Sequence, residues 1–337
     1  MTELEMDRRS LRKRLLLVGV GAVALTAIGI GYSIYAGARP SESAYAAGEA
    51  VPETDPGLYV RDADGYVAVQ KGGGDVAWEE GERTPPREGT GMECLRFYAA
   101  GDSAVCARAQ DALTPMTTME ILDSDLTVTE SFEFNGVPSR ARVSASGQMV
   151  AWTLFVMGDS YATTSFSTRT GIYDLTSNYL VDSIESLQLY IDGERIVRQD
   201  VNYWGVTFAD DDNTFYATVS TGGKTYLVEG DYANWTATAL RENVECPSLS
   251  PDGTRLVFKK RVDSGVEDPW RLYALDLASM EETPLAEGRN VDDQASWLDD
   301  DTVAYAIGGD VWSVSADGTG TPKVIAPDAS SPVIVGE

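Results

Sequence analysis

The sequence predicts an all-β fold, a six-bladed β-propeller of four-stranded antiparallel blades preceded by one N-terminal transmembrane helix. Three observations lead to it. A nine-residue phrase recurs five times along the chain. The copies stand at intervals close to the length of one four-stranded blade. A single long apolar run near the N-terminus follows a cluster of basic residues.

The N-terminal elements come first. Residues 1–14 hold five basic and three acidic side chains and read as a cytoplasmic tail. Leu15 to Ala38 is 24 residues without a charge, where a spanning helix needs about 20. The basic group Arg8, Arg9, Arg12, Lys13 and Arg14 precedes it. The positive-inside rule then puts the N-terminus inside, as a single-pass anchor in the cytoplasmic membrane, and the rest outside. The alternative is a secreted protein, released by signal cleavage near Ala46 at Ala44-Tyr45-Ala46. Length favours the anchor, because the apolar core of a cleaved signal runs about 7–15 residues. Residues 39–56 lack periodicity and contain three prolines, so they read as a flexible linker.

From residue 57 to 337 the propeller pattern takes over. The clearest phrase is Ser250-Pro251-Asp252-Gly253-Thr254-Arg255-Leu256-Val257-Phe258, and a second runs Ser144 to Trp152. Looser copies run Tyr98 to Cys106, Phe208 to Tyr216 and Trp297 to Tyr305. Each is a strand end, a polar turn and a short apolar strand. In Pro-Asp-Gly the proline pre-sets φ, the aspartate bonds nearby backbone and the glycine accepts positive φ. The intervals are 46, 64, 42 and 47 residues. The long one holds an extra hairpin-like piece, Leu187 to Val197. The aromatics Trp152, Tyr216, Phe258 and Tyr305 close four phrases and are expected in the core between blades. Leu58–Arg61 and Tyr66–Val69 read as the third and outer strands of a sixth unit. The tail Pro332–Val335 is expected to complete it and hide two sheet edges.

These phrases, with the strand Leu272–Asp276 that follows the fourth, resemble the WD-type repeat of the TolB-like six-bladed propellers of bacteria. The likeness covers roughly residues 57–337 and extends to membrane-anchored members. It implies an extracytoplasmic binding platform. The small α/β domain of TolB itself has no counterpart in this sequence.

Composition narrows the chemistry. The formal charge is −27, from 53 acidic and 26 basic residues. Such a polyanion repels phosphate backbones, so nucleic acid is excluded as a partner. With no histidine, catalytic arrangements that need an imidazole are excluded within this chain. No cofactor, metal or catalytic residue is expected. Cys94 and Cys106 are disulfide candidates: outside the cell a disulfide persists, and a hairpin with a three-residue loop would set the two opposite each other. Cys246 would remain as a small buried apolar residue. The acidic runs 210–213 and 299–301 and the pair Asp292-Asp293 lack the spacing of a calcium loop and read as solvated turns. Lys259-Lys260-Arg261 reads as a strand end with solvated charge. The long connection Gly158 to Phe166, with Asp159, Tyr161 and Phe166, is the candidate contact loop.

The functional expectation is a non-enzymatic binding module for a protein or cell-envelope component. The alternative is a carboxylate-based hydrolase acting on envelope glycans.

Overall fold

The computed structural model describes residues 45, 56–71, 85–110, 114–156, 167–262 and 268–335. The cytoplasmic tail, the apolar run, nearly all of the linker and the contact loop with Asp159, Tyr161 and Phe166 lie outside the described residues. Among the described residues no helix is long and apolar enough to cross a membrane.

The strands form six separate sheets. The first blade pairs Arg96–Ala100, Ser103–Gln110, Met116–Asp123 and Val128–Asn135 in sequence order, from the axis outward. The second does the same with Val137–Val143, Met149–Val156, Ser167–Asp174 and Tyr179–Val181. The fourth uses Glu245–Leu249, Arg255–Arg261, Trp270–Asp276 and Glu282–Pro284, and the fifth Ser296–Trp297, Thr302–Ile307, Asp310–Ser315 and Lys323–Ala326. Each of the five phrases is the hairpin joining the innermost strand of a blade to its second strand.

The turn chemistry is that expected of the sequence. In the fourth blade Gly253 (φ +70°) donates its N–H to the Ser250 carbonyl at 2.9 Å, and Asp252 accepts from the Thr254 N–H at 3.0 Å. The second blade repeats the turn, with Gly147 donating to Ser144 at 2.9 Å. Where acidic runs replace the motif, one aspartate of the run takes over the same task. Asp211 accepts from Asn213 and Thr214 N–H, and Asp299 from Asp301 and Thr302 N–H. These carboxylates are held on their own turns.

The third blade departs from the four-stranded expectation. Its strands Asn202–Phe208, Thr214–Thr221, Lys224–Asp231 and Thr236–Glu242 are extended by the hairpin Gln188–Ile191 and Glu194–Ile196 into a six-stranded sheet. Gln188–Tyr190 pairs in parallel with Thr236–Thr238, the outermost strand of the blade. The hairpin therefore precedes its blade in sequence but covers its outer edge, which removes an open edge. Its Leu189 is 1% exposed and joins the blade core.

The sixth blade closes the ring. The tail strand Ala329–Val335 is its innermost strand, followed outward by Gly57–Asp62, Tyr66–Gln70 and Arg87–Glu93. The register sets Leu58 against Ile334 and Tyr59 against Val333. The two N-terminal strands are thus second and third, a correction of the third and outer positions expected from sequence. The shift follows from the tail, which fills the place nearest the axis. Val333 (1% exposed) and Val335 (8%) are buried there, each contributing roughly 1.5–3 kcal/mol.

Packing between sheets supplies the core. Trp152, Tyr216, Phe258 and Tyr305 are all buried. Trp152 lies against Phe134 of the first blade at 5.4 Å between ring centroids. Cys94 and Cys106 are joined by a disulfide, S–S 2.07 Å. They are not opposite partners in a hairpin. The turn has two residues, Gly101 and Asp102, which places Phe97 opposite Cys106. Cys94 sits in the link leaving the sixth blade, its N–H donating to the Gly65 carbonyl at 2.9 Å, so the disulfide ties that link to the second strand of the first blade.

Candidate functional site

The innermost strands converge on an axial channel, and the channel is where charge is concentrated. A cavity of about 490 Å³ opens where the inner strands of blades one to four begin. Its wall includes Arg96 and Arg140 from the first two blades, Asn202 and Trp204 from the third, and Glu245, Cys246, Lys259 and Trp270 from the fourth. Asp292, in the link between the fourth and fifth blades, completes the rim. Arg96 and Arg140 also line a second, water-sized space that reaches Asp293 and Gln294. These two arginines thus stand between the cavity and the deeper channel.

The backbone allows this convergence at one tight point. Gly205 (φ +66°) lies on the inner strand of the third blade, and a Cβ there would stand 2.8 Å from the Cα of Cys246. Cys246 itself has φ +49°. Two neighbouring blades therefore touch through a glycine, and the kink presents Cys246 to the channel.

The ion pairs set the electrostatics. Lys259 is 4% exposed and donates to Asp292, whose side chain is 60% exposed. The ammonium sits 4.8 Å from the Trp270 ring centroid. Burial opposes the Lys259 charge, but Cys246 and Asp292 outweigh it and hold its pKa above the ordinary value. Arg140 pairs with Asp293 at 3.4 Å. Burial opposes its charge too, yet the neighbouring Cys246 and Asp293 raise its pKa overall. Asp293 is held below the usual carboxylate range, because Arg140 and Arg96 overcome the cost of its burial. Glu245 is pushed up by burial, reinforced by Asp292 and countered by Lys259 and Arg261. Arg142 (5% exposed) reaches across the axis, donating to Ser248 Oγ at 3.3 Å and the Ala295 carbonyl at 3.2 Å.

Two sequence readings are corrected here. Lys259 is buried in the cavity wall against Asp292 and the Trp270 ring; it is not solvated charge at a strand end. Asp292 and Asp293 are counter-ions to buried cations. Cys246 is a free, buried cysteine, as expected, and lines the same cavity as Arg140 and Lys259. Among the described residues no group of three or more His, Cys, Asp or Glu side chains is placed to hold a metal ion.

Arg96, Arg140, Trp204, Glu245 and Trp270 were not singled out by sequence reasoning, since each comes from a separate strand. A signal was present in the repeat register. The residue four positions before each phrase is Cys94, Arg140, Trp204, Cys246 and Asp293 in turn, and the last four of these line the channel.

No protein-family model matches the chain, and no curated protein matches it. Solved structures do. An Agrobacterium tumefaciens protein assigned as TolB is 14% identical, with 81% of this chain and 90% of that one covered and a TM-score of 0.47. A functionally unknown protein of Desulfotomaculum acetoxidans is 12% identical over 83% and 99%, TM-score 0.45. The β-propeller domain of the Trilobed protease of Pyrococcus furiosus is 12% identical over 68% and 66%, TM-score 0.38. The propeller itself is established by the six sheets.

Proposed function

We propose that the chain is a membrane-anchored, extracytoplasmic binding module of TolB-like, WD-repeat type that holds a protein or cell-envelope component at the mouth of its axial channel. Residues 1–14 would be the inner tail, 15–38 the spanning anchor, 39–56 the tether and 57–337 the propeller. One observation carries the reading. In a chain of net charge −27, three buried or half-buried cations, Arg96, Arg140 and Lys259, line one cavity together with Trp204 and Trp270. A cavity of this volume, with aromatic walls and a few converging polar groups, is what a ligand site requires. The test places a photo-crosslinking residue at Trp204 or, as a control, at the exposed Thr238 on the fourth strand of the third blade, in cells. Adducts from position 204 alone are expected. Equal capture at both positions, or none from the channel, contradicts the reading.

A second reading, a carboxylate-based hydrolase acting on envelope glycans, is favoured by one pair of groups. Glu245 is pushed up by burial while Asp292 stands on Lys259 in the same cavity. Environments that separate two carboxyl groups in this way suit an acid and an ionised partner. Release of sugars from envelope glycans by the purified chain, lost in Glu245→Gln, would establish it. An unchanged rate in that variant would remove it.

A further inference from the structure

We infer that the channel cavity recognises an acidic sugar, its carboxylate held by Lys259 in exchange for Asp292. This rests on the channel being the binding site and goes on to name the class of ligand.

The buried ammonium is the starting point. Lys259 carries three N–H donors, and among the described residues Asp292 is its one hydrogen-bond acceptor. The Trp270 face lies beside it at 4.8 Å and accepts no ordinary hydrogen bond. An almost fully buried ammonium with donors left over is costly unless an anion or polar group completes it. Asp292 is a poor permanent partner. It is 60% exposed and comes from a link, so it can swing into water at little cost. An incoming carboxylate therefore meets a buried cation whose present counter-ion is replaceable.

The rest of the wall selects the body of the ligand. Trp204 offers a flat apolar face and Ser220 a hydroxyl in the same cavity; the Asn202 amide is already held by Ser167, Thr168 and Asp200, and Lys259 and Arg261 lie over the Trp270 ring. A pyranose presents one C–H face for stacking and a rim of hydroxyls for hydrogen bonds. A neutral sugar would leave Lys259 with Asp292 alone. The combination fits a sugar bearing one carboxylate.

The full chain in detergent micelles is titrated with glucuronate and with glucose, binding being followed by tryptophan fluorescence and calorimetry. Glucuronate is expected to bind at least about tenfold more tightly than glucose. Lys259→Met should remove that preference. Asp292→Asn keeps an acceptor oxygen beside the Lys259 ammonium, and circular dichroism and urea melts check that the variant is folded before it is titrated. It should tighten glucuronate several-fold and leave glucose unchanged. Equal binding of the two sugars, or no effect of Asp292→Asn, overturns the acidic-sugar assignment while channel binding still stands. Absence of any glucuronate binding also overturns it. Crosslinking at position 204 then judges the channel reading separately.

Discussion

At the scale of single residues, a buried carboxylate stays charged where donors answer it. Glu287 shows the rule most clearly. Its side chain is 2% exposed, yet its pKa is lowered: Arg289 and the Tyr305 hydroxyl, which donates at 2.6 Å, outweigh the penalty of burial. Tyr305→Phe removes one donor from a buried carboxylate and is expected to cost about 1–3 kcal/mol, measured by urea unfolding at neutral pH. The pH dependence has a definite sign. A carboxylate whose folded pKa is depressed adds stability above its ordinary value of 4.5, and that stability is lost as pH falls through the folded pKa. The variant should therefore unfold in acid at a higher pH than the parent. An unchanged acid midpoint would show that the hydrogen bond contributes nothing.

Residue types alone did not reveal the channel. Asp292, Asp293 and Lys259 look like surface charge in the sequence, because acidic and basic residues are mostly exposed. Their pairing depends on strands far away in sequence: Arg140 comes from the second blade and Lys259 from the fourth. No local spacing joins Arg140 to Asp293 or Lys259 to Asp292. Only the shared position relative to each phrase connects them.

At the scale of elements, much more was legible. Turn residues and strand alternation are local properties, so the five inner hairpins stand at the five phrases. The parallel docking of the Gln188–Ile191 hairpin was not legible, since the partner strand comes more than forty residues later and nothing in the hairpin names it. The short 3₁₀ turn before that hairpin, Ile184–Ser186, carries a testable charge. Burial pushes Glu185 up to about 7, and Oε1 has no hydrogen-bond partner. The folded pKa is raised above the ordinary 4.5, so the folded state holds the proton more tightly. Stability is fully present below 4.5 and declines as pH rises toward about 7, by at most about 1.4 kcal/mol per unit. Glu185→Gln should flatten this slope. At pH 8 the variant should be more stable than the parent, by on the order of 2 kcal/mol once partial exposure is allowed for. Parallel urea melts at pH 5 and pH 8 measure this; identical slopes in both proteins would refute it.

At the scale of the whole molecule, closure decides everything that the channel does. A ring of sheets needs its first and last strands joined, or two open edges remain and the inner strands lose their common axis. Here the strand Ala329–Val335 lies inside Gly57–Asp62, so it forms part of the channel wall. The spare tail strand was visible in the sequence, but its innermost place was not, because one apolar strand looks the same at any depth in a blade. The most direct test is to lock the two ends together. Leu58 and Ile334 are register partners, and residues opposite each other in an antiparallel pair come within disulfide reach. In the double variant Leu58→Cys, Ile334→Cys, mild oxidation should link the two peptides, as read by non-reducing mass mapping, and raise the melting temperature. Two free thiols in a chain that remains folded would contradict the closed ring.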